Sequence, residues 1–116
     1  MINKPLLSAV LFILLNSACA QQPSAPAAGD EQAYEIGIMV QEIQTALTDP
    51  EHAQSLQTII SYGTDSRYYV MIRGWLFQEL VGVESQLHAS RSKKSSAEFQ
   101  LRSDFLKQAI RAIDLE

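Results

Sequence analysis

Residues 68–83 read YYVMIRGWLFQELVGV, Tyr68 to Val83, and this stretch decides the fold. Projected at 100° per residue, Tyr69, Ile72, Leu76, Leu80, Val83 and Leu87 fall on one stripe of a helix. Val70, Phe77 and Val81 lie on one flank, and Tyr68, Met71 and Trp75 on the other. A helix that is apolar nearly all round is expected to be buried on several sides. Arg73, Gln78 and Glu79 make the run too short and too polar to cross a membrane. With Thr64 or Asp65 as cap, the spacing predicts a helix over 65–88, about 35 Å long at 1.5 Å per residue. Gly74 and Gly82 inside it each cost about 1 kcal/mol of helix propensity. The expected return is the close approach of a neighbouring helix at both points.

Helical periodicity continues on both sides, with no strand pattern competing. Upstream, Ile36, Met39, Val40, Ile43 and Leu47 make one apolar stripe, which predicts a helix over 30–47 capped by Asp30. Thr48-Asp49-Pro50-Glu51 matches a capping box with proline in the first turn. It predicts a second helix over 50–62, with Ala53, Leu56, Ile59 and Ile60 inward and Gly63 ending it. Downstream, the basic, serine-rich break at 89–95 is followed by Ser95-x-x-Glu98, a second box, and a helix over 96–115. Its apolar arc holds Phe99, Leu101, Phe105, Leu106, Ala109, Ile110 and Ile113. The expected fold is all-α: a small four-helix bundle or helical array, residues 30–116, with a long central third helix.

Three charges break the apolar pattern. Glu79 projects between Trp75 and Ile72, Arg73 between Leu80 and Phe77, and Arg102 in the middle of the last helix's arc. A desolvated charge needs a partner or an opening. The expectation is a structural ion pair of Glu79 with Arg102 or Arg73. The sharper reading makes Glu79, Arg73, Arg102, Trp75 and Tyr68 a polar and aromatic spot in a binding groove.

The amino terminus carries an address. Lys4, the apolar run Leu6–Leu15 and the small residues Asn16–Ala20 form the n-region, h-region and cleavage region of a secretory signal, over 1–20. Ala18-Cys19-Ala20 fits cleavage after Ala20. Ser17-Ala18-Cys19 instead resembles the end of a bacterial lipobox, although Asn16 stands where a branched apolar residue is usual. Cys19, the chain's one cysteine, sits where a lipobox needs it, and the lipoprotein reading is preferred. Ala20 after the cysteine resembles the pattern of outer-membrane sorting. QQPSAPAAG at 21–29 has no bulky apolar residue and is expected to be a flexible tether.

The remaining inventory excludes more than it includes. The chain has 13 acidic and 9 basic residues and a formal net charge of −4; losing Lys4 with the leader makes it more acidic still. Such a domain has no general attraction for nucleic acid or an anionic membrane surface. His52 and His88 stand apart, with no metal-ligand spacing, and there is no phosphate-binding glycine loop or nucleophile motif. No cofactor, metal or catalytic residue is expected. The expectation is a non-catalytic envelope protein, periplasmic or lipid-anchored, that binds another exported protein as an accessory subunit or an inhibitor or immunity-type binder. Self-association through the central helix fits the same surface. The alternative is a carrier of a small apolar ligand between the helices, with Glu79, Arg73 or Arg102 at its polar end.

Overall fold

A computed structural model describes residues 28–115, which form four helices and, among the described residues, no strand: α1 (Ala28–Thr48), α2 (Ala53–Gly63), α3 (Tyr69–Ala89) and α4 (Lys93–Leu115). The all-α expectation holds. The leader over 1–20, Cys19 and most of the tether lie outside the described residues. The tether's expected end does not hold: Ala28 and Gly29 already belong to α1, and Asp30 sits in the helix's first turn rather than capping it.

The helix starts differ from their predicted positions, and at α2 and α4 a different side chain makes the cap. The Thr48 hydroxyl turns back to donate to the Thr45 carbonyl at 2.8 Å, so α1 runs through it and no box forms. Pro50 lies in a turn, and α2 is capped instead by His52, whose Nδ1 accepts from the Gln54 N–H at 3.2 Å. Asp65 organises the turn before α3: its Oδ1 accepts from the Arg67 N–H, and its carbonyl accepts from the N–H of Tyr68 and of Tyr69, each at 2.9 Å. That turn delays α3 to Tyr69. Ser92, not Ser95, caps α4, its Oγ accepting from the Ser95 N–H at 3.1 Å. These are all satisfactions of the donors and acceptors that helix ends leave open.

Two hairpins result. Arg73 meets Asp114 and Glu84 meets Lys107, so α3 and α4 run antiparallel, and theirs is the most extensive helix contact. Tyr62 donates to Glu42 at 2.6 Å, joining α2 antiparallel to α1. The hub is α2, which touches all three other helices, whereas α1 comes close to α2 alone. The third helix is long, as expected, but it is not the hub. At the junction, Gly63 has an ordinary helical backbone and does not end α2 by a left-handed turn. Its role is close approach, since a Cβ there would sit 2.6 Å from Cγ2 of Ile113 on α4.

The core follows the apolar stripes. Met39, Ile43, Ile59, Ile72 and Leu76 are fully buried, and α4 adds Phe105, Leu106, Ala109, Ile110 and Ile113. Of the inward residues expected on α2 and α4, Ala53 and Leu101 are exposed. One polar atom inside has no partner: Ser103 is 1% exposed and its hydroxyl makes no hydrogen bond. An unmet buried hydroxyl is unfavourable, and alanine is the better helix former. Ser103→Ala is expected to raise stability by about 1 kcal/mol in urea denaturation. A loss of stability would mean that the hydroxyl is bonded after all.

Candidate functional site

The side of α3 opposite Ile72, Leu76 and Val83 is open to solvent. Val70, Gly74, Phe77 and Val81 recur there at i, i+4, i+7 and i+11, with Met71 and Gly82 beside them. Val70 is 79% and Val81 63% exposed. Burial of α3 on several sides is thus a failed expectation, and the physical reason is α1. Held against α2 by a short turn, α1 does not reach across α3. The two glycines are corrected with it: a Cβ at Gly74 or Gly82 would meet nothing within 4 Å, so no helix of the described residues approaches either point.

The α4 side of this face has a charged rim. Arg73 Nε and Nη2 donate to Asp114 Oδ1 and Oδ2 at 2.9 and 3.1 Å, and the Tyr69 hydroxyl donates to Oδ1 at 2.7 Å. The Arg73 guanidinium also lies 4.6 Å from the centre of the Phe77 ring. Lys107 pairs with Glu84 at 3.2 Å. Between α3 and α4 runs a trough of about 290 Å³, lined by Phe77, Leu80, Lys107, Ile110 and Arg111.

The expected polar spot does not assemble. Arg73 pairs with Asp114, 41 residues away, rather than with Glu79. Half-buried Glu79 accepts instead from the indole N–H of Trp75, one turn back, at 3.3 Å. Arg102 is half-buried, and among the described residues it forms no ion pair, so Glu79–Arg102 is not a pair. Tyr68 is a core residue, edge-on to Tyr62 with Arg67 stacked over its ring. Asp114, Lys107 and Arg111 were not singled out by pattern. Each looks like an ordinary wet-face residue in sequence, and only the antiparallel register brings them to α3.

Two other clefts are less promising. One of about 530 Å³ between α1 and α2 holds Glu42, Asp49 and His52, but Glu42 is engaged by Tyr62 and His52 Nδ1 by its capping bond. One of about 340 Å³ holds Tyr34, Tyr62 and Tyr68, with Arg67 tied to Asp65 and Glu35. Neither is lined by Glu79 or Arg102, and no cluster among the described residues is arranged to hold a metal ion. No known protein family, no curated protein and no solved structure matches the chain.

The Arg73–Asp114–Tyr69 clamp carries a pH signature. The Arg73 guanidinium, and then the Tyr69 hydroxyl, hold the Asp114 carboxyl below its ordinary value. A lowered carboxylate value stabilises the fold above the unfolded-state pKa, and that contribution is lost as pH falls through the folded value. Stability should therefore drop below about pH 4. Asp65, lowered by Arg67, adds to the same limb. Asp114→Asn is expected to flatten part of that drop in urea midpoints measured against pH. An unchanged acid limb would show that the clamp does not contribute in solution.

Proposed function

We propose that this chain is a non-catalytic helical interaction protein of the bacterial envelope, exported by its leader and lipid-anchored at Cys19. The open face of α3 takes a helix of another exported protein. The observation that carries the reading is the exposure of Val70, Met71, Phe77 and Val81 along α3. Exposed patches of this kind mark interaction sites, and aromatic residues and methionine are enriched there. The glycines support it. Gly74 and Gly82 weaken α3 with no packing gain inside the described fold, and an incoming helix could use the space they leave. The carrier reading has less behind it, because its expected polar residues do not line the clefts described above.

A photoreactive residue placed at Val70 or Val81 of the full chain, in producing cells, tests this. A discrete protein adduct is expected from both, and none from the same residue at Gln108 on the wet face of α4. Equal adducts at all three positions, or none at α3, would overturn it. Gly74→Ala and Gly82→Ala should each raise stability by about 0.5–1 kcal/mol while lowering adduct yield. The anchor is checked separately by intact mass from membranes. A soluble product beginning at Gln21 would remove the lipid and leave the binding face.

A further inference from the structure

We infer that the partner docks with an amphipathic helix bearing acidic residues along one edge. Its apolar side lies on Val70, Phe77 and Val81, and its carboxylates over Lys107 and Arg111. The inference rests on the reading of the α3 face as a docking surface and adds the chemistry of what lands there. The trough beside that face has an apolar floor of Phe77, Leu80 and Ile110, and its polar lining consists of two cations and no acid. Acids stand on its rim, Glu84 on Lys107 and Asp114 on Arg73, which leaves Arg111 as the lining cation with no ion-pair partner among the described residues.

The charges around the trough are not equally available. Arg73 is neutralised by its two-pronged bond to Asp114, whereas Asp104 accepts only from the neutral Gln100 amide at 2.9 Å and keeps its charge one turn before Lys107. Lys107 and Glu84 are about half exposed, at 49% and 47% of their side chains, so an incoming carboxylate can share the lysine. Arg111 forms no ion pair among the described residues. Lys107 and Arg111 are one turn apart, about 6 Å along α4, which is also the i, i+4 spacing of acids on a helix edge. The opposite border of the face, Met71, Gln78, Gly82 and Gln86, carries no charge. The basic edge therefore sets the orientation of whatever docks.

The test uses the full chain with the photoreactive residue at Val81. Arg111→Glu, alone and with Lys107→Glu, is expected to cut adduct yield by about tenfold. Arg111→Lys should keep most of it, and added salt should weaken it. The linked peptide should carry Asp or Glu three or four residues from the attached apolar residue. Thermal melts confirm that each variant folds; if Lys107→Glu fails through repulsion by Glu84, Arg111→Glu alone decides. Undiminished adduct from folded Arg111→Glu would overturn the acidic edge while the docking face stands. An adduct of two copies of this chain, or of chain and lipid, would overturn the acidic helix as occupant. No adduct at Val81 in the parent chain would overturn the docking face itself.

Discussion

Leu76→Ala is expected to lower unfolding free energy by about 2–5 kcal/mol, and Val81→Ala, on the same helix, by less than about 0.5 kcal/mol. Both remove methyl groups from apolar residues in one continuous hydrophobic run, and by sequence alone both look like core. Leu76 is fully buried, so alanine there loses transfer free energy and leaves a cavity in the core. Val81 is 63% exposed and has little to lose, while alanine is the better helix former. Domains of this size have total stabilities of about 5–15 kcal/mol, so the first change removes a large share and the second is hardly seen. Urea denaturation followed by circular dichroism separates them. Comparable losses at both positions would mean that the outer face of α3 is covered in the isolated chain.

The second large effect is expected at Gly63. Glycine to alanine inside a helix usually stabilises, as expected at Gly74 and Gly82, but at Gly63 the sign reverses. The new Cβ would lie 2.6 Å from Cγ2 of Ile113 and 3.4 Å from its Cβ. Cγ2 is attached directly to a β-branched carbon whose χ1 is nearly fixed in a helix, so it cannot swing aside. Either α2 moves off α4 or Ile113 leaves its rotamer, and the net loss is about 1–3 kcal/mol. A double-mutant cycle with Ile113→Ala tests the cause. Ile113→Ala alone should lose about 2–5 kcal/mol, and the double variant less than the sum, because the overlap is gone. Strict additivity would place the effect in the backbone of α2 rather than at this contact.

The helices and most of their inner faces were legible in the sequence. Ile36, Met39, Val40, Ile43 and Leu47 are the buried or half-buried stripe of α1, and the arc of α4 is inward at every expected position except Leu101. Helix ends were less legible. A capping box states which bonds are possible, and at residues 48–52 the Thr48 hydroxyl and His52 Nδ1 make different ones. Glu79 was legible as a charge needing a partner. That the partner is Trp75, a neighbour on its own helix, competes on equal terms with any distant arginine until the register of α4 is known.

By itself the sequence determined the things that depend on nearby residues: four helices, the apolar side of α1 and α4, and the innermost stripe of α3. Helical hydrogen bonds and i, i+4 neighbours are local, so periodicity carries them. Only the tertiary structure decided which apolar surface stays open and which charges meet. In α3 almost every direction is apolar, so its own pattern does not choose a buried side. The choice falls to the antiparallel register that brings Asp114 to Arg73 and Lys107 to Glu84. It falls equally to α1, whose short turn keeps it on α2 and leaves Val70, Phe77 and Val81 in water.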